Sequence, residues 1–182
     1  MSLATLPAFG SDGSVHVVVE SPRGSTVKLK YDADLNAFTL SRPLIDGLSY
    51  PFDWGFVPST RASDGDPLDA MILWDRGSFP GTVIACRLIG LLAVEQNSKQ
   101  RPGTRERNDR VVAVPLKAPK FNALTQVRDV ESRVREELEA FFTAAAAFEG
   151  KDLQFLQWAG AAAAYDLVKA SLLSSHGPRS AT

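Results

Sequence analysis

Leu48-Ser49-Tyr50-Pro51-Phe52-Asp53-Trp54-Gly55-Phe56-Val57-Pro58, followed shortly by Ser63-Asp64-Gly65-Asp66-Pro67-Leu68-Asp69-Ala70-Met71-Ile72-Leu73, is the most telling stretch of this chain. Its first half mixes aromatics, glycine and prolines, a composition for a rigid, partly buried strand and turn. Such segments serve as core more often than as site. Tyr50 and Trp54 stand four apart, so on an extended chain they share a face. The second half packs three carboxylates into a turn that Gly65 permits and Pro67 stiffens, then enters an apolar strand. Carboxylates this close repel and raise one another's pKa, a cost that a divalent cation removes. The pattern therefore fits either an oxygen-ligated magnesium site or a solvated acidic turn. It does not fit an EF-hand, because Asp69 stands where that loop needs glycine.

Short strands extend in both directions from this stretch. Residues 15–20 are rich in β-branched side chains and end at the turn Ser21-Pro22-Arg23-Gly24; residues 27–31 alternate apolar and basic. Residues 37–41, 68–74, 82–94 and 111–114 continue the pattern, with turns at Asp12-Gly13 and Pro80-Gly81. Many short strands at close spacing predict a small closed barrel rather than alternating β-α units. The period changes after Asp129, where Val130, Val134, Leu138, Phe141, Ala145 and Phe148 recur at helical spacing. Asp129 is the expected N-cap and Gly150 the expected stop. A second helix is expected over 161–174, with Pro178 beyond it. The fold class is thus α+β, a barrel with C-terminal helices at its side. Residues 96–108 carry four basic residues against one acid and read as an exposed, mobile loop.

A chain of 182 residues makes one domain, here 1–182, large enough for a core without metal or disulfide staples. Loose ends are expected over about 1–12 and 176–182. Lys and Arg total 20 against 21 Asp and Glu, and this balance argues against a generic nucleic-acid or membrane-surface binder. Cys86, the one cysteine, is expected to be a buried apolar filler, and His16 and His176 have no evident catalytic partner. Any metal must then be held mainly by oxygen. No apolar run approaches the ~20 residues that span a bilayer, and no signal peptide is visible, so a cytoplasmic location is the default expectation.

The order Tyr50-Pro51-x-x-x-Gly55-Phe56-Val57-Pro58, then Asp64-Gly65-Asp66-Pro67-Leu68-Asp69, resembles the signature of the soluble (family I) inorganic pyrophosphatases. Glu20 before a proline turn, Lys28, Arg42, Pro80-Gly81-Thr82-Val83, the strand 110–115, Phe141-Phe142 and Glu149-Gly150-Lys151 agree with it, over roughly residues 14–170. The resemblance implies a five-stranded barrel of OB type, hydrolysis of pyrophosphate to two phosphates, dependence on Mg2+, and a homo-oligomer, a hexamer. It implies pyrophosphate and phosphate as the partners, with no nucleic acid and no membrane. By the same resemblance Asp64, Asp66 and Asp69 are metal ligands, and Asp66 is also the base for the attacking water. Glu20 orients the metal's water shell, and Tyr50 lines the site. Lys28, Arg42 and Arg110 neutralise phosphate oxygens, with Arg110 standing where lysine is usual.

Several positions depart from the family. Lys30 replaces an expected glutamate, and Trp54 replaces a tyrosine. Two metal-ligand aspartates become Gln96 and Asn108, with Glu95 and Asp109 beside them. Asn108 stays at a metal position by resemblance, while Glu95 and Asp109 would enter the site only through a bulge or register slip. Ala145 and Ala146 stand where a tyrosine and a cation usually reach the leaving phosphate. Each lost charge-assisted contact costs about 1.5–3 kcal/mol, and two would slow turnover by about 10² to 10⁴. Lys99, Arg101, Arg105 and Arg107 are expected to fold over the site in compensation. Three functions stay open on these residues. They are a working pyrophosphatase, the same fold acting on another phosphoanhydride or only binding phosphate and metal, and a nucleic-acid-binding barrel.

Overall fold

A computed structural model describes residues 2–98 and 101–173. Along the chain run β1 (Val15–Ser21), β2 (Val27–Asp32), β3 (Ala37–Pro43), β4 (Asp53–Val57), β5 (Leu68–Ile72), β6 (Val83–Asn97), β7 (Arg105–Arg107), β8 (Arg110–Pro115), α1 (Ser132–Ala146), β9 (Gln154–Gly160) and α2 (Ala161–Ser171). Five strands close a ring in the order β1-β4-β5-β8-β6, and β6 returns to β1. Among the described strand pairs, only β5 and β8 run parallel. β2 and β3 form a separate hairpin, and β7 and β9 pair with the long β6.

Both faces of the ring strands are covered, which is why their sequences read as nearly continuous apolar runs. Leu68, Ala70 and Ile72 join Val17, Leu88, Val111 and the α2 residues Ala164 and Val168 in one cluster. Met71 and Leu73 join Trp54, Ile89, Val112 and the α1 residues Leu138, Phe141 and Phe142 in another. Each such large side chain contributes about 1.5–3 kcal/mol on burial. Gly55 makes the closure possible: a Cβ there would lie 1.9 Å from the Val18 carbonyl oxygen.

The structure corrects several expectations. Asp129 does not cap α1. Its carboxylate accepts from the backbone N–H groups of Thr125 and Gln126 and closes a 3-10 turn, so α1 begins three residues later. α1 stops at Ala146, ahead of Gly150, and α2 stops at Ser171. The start of the chain is not loose: Ala8 is buried, Phe9 bridges to Val15, and the Ala4 carbonyl accepts from Ser59 N–H at 2.8 Å. In the segment 96–108, β6 pairs with β7 through Gln96 beside Glu106 and Asn97 beside Arg105, and Gln96 and Asn108 are buried. Lys99, His176, Pro178 and the expected loose C-terminus lie outside the described residues. Cys86 is buried as expected.

Candidate active site

Two clefts meet on one side of the ring. The first is cationic. β2 and β3 pair Lys28 directly with Arg42. β5 and β8 pair Asp69 with Arg110, so the parallel register itself sets an acid beside a base. Lys28, Arg42, Arg110 and Lys151 line this cleft with Tyr50 and Asn108. Like charges facing one another across a strand pair are destabilising, so such a cluster implies an anion. Arg110 is 5% exposed, and its Nε and Nη1 have no hydrogen-bond partner. Its guanidinium lies 4.3 Å from the Phe142 ring centroid and 5.8 Å from that of Trp54. The indole at position 54 thus stacks on the arginine at 110, a contact that the planar guanidinium favours over an ammonium.

Burial sets the proton affinities here. It pushes Lys28 down to about 8, helped by the nearby Lys151 and opposed by Asp69 and Glu149. It raises the Tyr50 phenol well above its ordinary value, so Tyr50 keeps its proton and can donate. It lowers Arg110, against the pull of Asp69.

The second cleft is acidic. Glu20, Asp66 and Asp69 line it together with Lys30, and Asp69 belongs to both clefts. Gly65 sits at φ +89°, the left-handed region, which lets the turn bring Asp64 and Asp66 forward. Asp64 Oδ1 accepts from Asp66 N–H at 3.2 Å and braces that turn. Lys30 Nζ donates to Asp66 Oδ2 at 3.0 Å. Glu20 is buried and accepts from Tyr31 N–H at 2.8 Å. Burial pushes its carboxyl up to about 7, with Asp69 adding to the rise and the Tyr31 bond opposing it. Burial also raises Asp69, and Asp64 adds to that, while Arg110 and Lys28 oppose it.

Among the described residues no three His, Cys, Asp or Glu side chains converge tightly enough to cage a metal as they stand. The donor set nevertheless fits a hard cation. All donors are oxygens, and magnesium binds through one or two carboxylates plus water and substrate phosphate rather than an all-protein cage.

Some sequence-predicted residues are not brought in. Asp109 is turned away from the clefts, where Arg107 forks onto both its oxygens at 2.8 Å and Val94 N–H donates to it. It lines a separate cavity with Arg61 and Leu167. Glu95 faces Arg105, 3.7 Å away. Asn108 does line the cationic cleft, and its Nδ2 donates to Gln96 Oε1 at 3.1 Å. No register slip turns either neighbouring carboxylate inward, because the Asn108 N–H bond to the Val94 carbonyl holds the ladder. Two of the four basic residues expected over the site are held elsewhere: Arg105 is tied to Asp152 and Glu95, and Arg107 to Asp109.

The missing helix cation is met from elsewhere. Lys151 lines the cleft beside Ala145 and Ala146, and Arg42 donates to the Ala145 carbonyl at 2.8 Å. Glu149 pairs with Arg42 and, at 2.6 Å, with Lys151. Asp53 was also not legible as special: it is fully buried and accepts from Arg23 N–H, Trp74 Nε1 and Ser78 Oγ, pinning the aromatic turn. The Glu149-Gly150-Lys151 triplet was visible in the sequence, but nothing local to it indicates which charge faces a cleft.

The profile of the inorganic pyrophosphatase family matches residues 17–175. A pyrophosphatase of Synechocystis is 35% identical over 93% of this chain and 96% of its own length. One from Thermus thermophilus is 36% identical over 90% and 91%. The crystal structure of inorganic pyrophosphatase from Thermus thermophilus superposes with a TM-score of 0.84 at 35% identity, over 94% of this chain and 97% of that one. The closed five-stranded ring with flanking helices is accordingly the α+β barrel of OB type. With a family profile across most of its length, relatives this similar and the same fold, the chain belongs to the inorganic pyrophosphatases.

Proposed function

We propose that this chain is a magnesium-dependent hydrolase that splits pyrophosphate into two phosphates where its two clefts meet at Asp69. The observation that carries the reading is Arg110, buried with two guanidinium nitrogens unpartnered beside Lys28, Arg42 and Lys151. A multiply charged anion supplies the balance that this cluster lacks. Asp64, Asp66 and Asp69 are the residues that would hold magnesium, with Glu20 orienting its water shell. When bound, the metal lowers the pKa of a water and shields phosphate charge.

The chain's own groups do the rest. Asp66 takes the proton from the attacking water, and Lys30 steadies its carboxylate. Arg110, Lys28, Arg42 and Lys151 orient the phosphates, and Tyr50 donates to a phosphate oxygen. Asp109 has no part, being held by Arg107. Neither the fold nor the named relatives favour another phosphoanhydride or mere phosphate binding. None of the described helices is long and apolar enough to cross a membrane. A cytoplasmic location is part of the same reading. A homo-oligomer, a hexamer by resemblance, fits the exposed apolar side chains Leu35, Leu40 and Phe79.

The primary test is phosphate release from pyrophosphate with Mg2+. Release that is absent with every divalent metal tried defeats the reading. A second test uses pH. Lys28 is charged below about 8 and neutral above it, so substrate attraction is full at pH 7 and fades as pH rises past that value. The ratio kcat/KM should fall about ten- to twenty-five-fold between pH 7 and 9.5, the effect of one charge-assisted contact worth about 1.5–3 kcal/mol. Lys28→Arg, which keeps its charge, should flatten that limb relative to wild type, and parallel profiles would remove Lys28 from substrate binding.

A further inference from the structure

Among the described residues Glu149 is the one carboxylate set among the cleft cations by a segment other than the strands. It lies on residues 147–153, which join α1 to β9. Its two oxygens reach Arg42 and Lys151 separately, so the carboxylate bridges them as one phosphate group would. Burial works against its charge, but Lys151, Lys28 and Arg42 outweigh that and hold its pKa below the ordinary value.

The two cations do not need Glu149 to stay in place. Arg42 donates independently to the Ala145 carbonyl. The backbone of Lys151 is fixed by Asn97 N–H at 2.8 Å, and its neighbours are fixed by Asn97 Nδ2 to the Gly150 carbonyl and by Arg105 to Asp152. Glu149 itself follows two exposed residues, Ala147 and Phe148, the latter 87% exposed, and its N–H is held by a single turn bond to the Ala146 carbonyl. The cations are anchored, whereas the anion sits at the end of a short exposed turn.

We propose that Glu149 is an internal competitor for phosphate, filling the anion position between Arg42 and Lys151 and yielding it when substrate or product phosphate enters. The idea rests on the reading of the cationic cleft as the phosphate site. It assigns Glu149 the opposite sign of effect from a residue that merely orients its neighbours. An occupant that must leave before ligand binds weakens that ligand by the fraction of time the position is open.

The test is calorimetric binding of methylenebisphosphonate, a non-hydrolysable pyrophosphate analogue, and of inorganic phosphate, each with Mg2+ present. Glu149→Gln keeps the shape and removes the charge. It should tighten both ligands about ten-fold, equivalent to about 1.4 kcal/mol, and the kinetic gain should fall on KM. Unchanged or weaker binding overturns the proposal and makes Glu149 a positioning residue. Glu149→Asp, which draws the carboxylate back by one methylene, should shift binding in the same direction and serves if the glutamine variant folds poorly. Arg110→Gln should weaken both ligands. If it does not, the underlying reading of the cleft fails; if it does while Glu149→Gln gives no tightening, only the internal competitor fails.

Discussion

Asp66→Ala is expected to abolish phosphate release from pyrophosphate while leaving the fold intact, with a fall in kcat of at least about 10³. General-base contributions run to about 10²–10⁴, and here the side chain would also be lost as a metal ligand. The fold should survive because the structural duty at this position is done by the backbone: the Asp66 carbonyl accepts from Ala62 N–H at 2.8 Å, and its N–H goes to Asp64. The side chain is 45% exposed and pairs with Lys30, an exposed contact of small worth to stability. Thermal melting should therefore match wild type within a few degrees, while stopped and continuous phosphate assays separate the two proteins. Asp66→Asn divides the roles, since it keeps an oxygen for metal but cannot accept a proton from water as a carboxylate does. Turnover of either variant at a tenth of wild type or better would take Asp66 out of the chemistry.

Gly55→Ala is expected to act on folding instead, and severely. Gly55 pairs with Val19 across β1 and β4, and a Cβ at this position would sit 1.9 Å from the Val18 carbonyl oxygen, 2.8 Å from its carbon and 2.9 Å from Val19 Cα. All three obstacles are backbone, so no side-chain rotation relieves them. β1 must move off β4, and with it goes the wall that carries Glu20. Losses above 4–5 kcal/mol are unusual for one methyl group, but this mechanism is among the few that reach them. Set against a typical domain stability of about 5–15 kcal/mol, the variant should be largely unfolded or insoluble at 37 °C. Urea titration of whatever remains soluble measures the loss, and a midpoint close to wild type would show that the strands can separate cheaply.

These two positions also mark how far the sequence could be read. The closed barrel and the helical last third were legible because their periods differ and because glycines and prolines mark the turns. The signature stretch located Asp64, Asp66 and Asp69, and pattern matching pointed to Lys28, Arg42, Tyr50 and Arg110. What failed were the pairings that depend on distant strands. Asp109 carries the right charge but faces the wrong way, because side chains alternate and the Asn108–Val94 ladder bond holds the register. Lys151 lies far from the signature and reaches the cleft only because the turn after α1 is fastened to Asn97. The sequence showed Lys30 only as a departure from the family's glutamate, and it lies against one of the three carboxylates. The strand β9 went unseen because its burial pattern shows no clean alternation. Local chemistry is written locally, whereas the orientation of a charge is decided by whichever partner the finished sheet supplies.

The ring closure has a bearing on how the protein is made. β1 finds its partners far downstream, Val18 beside Phe56 and Val15 beside Cys86. At a synthesis rate of about 5–20 residues per second, β1 waits roughly 4–14 s for the last of them. Until β4 emerges Val-His-Val-Val-Val is a bare apolar strand with both edges open, and until β6 emerges one edge stays open, the kind of segment that recruits other chains. Once β6 arrives, the same strand has neighbours on both sides, and the last open edges of the ring, on β5 and β6, are covered only when β8 enters between them.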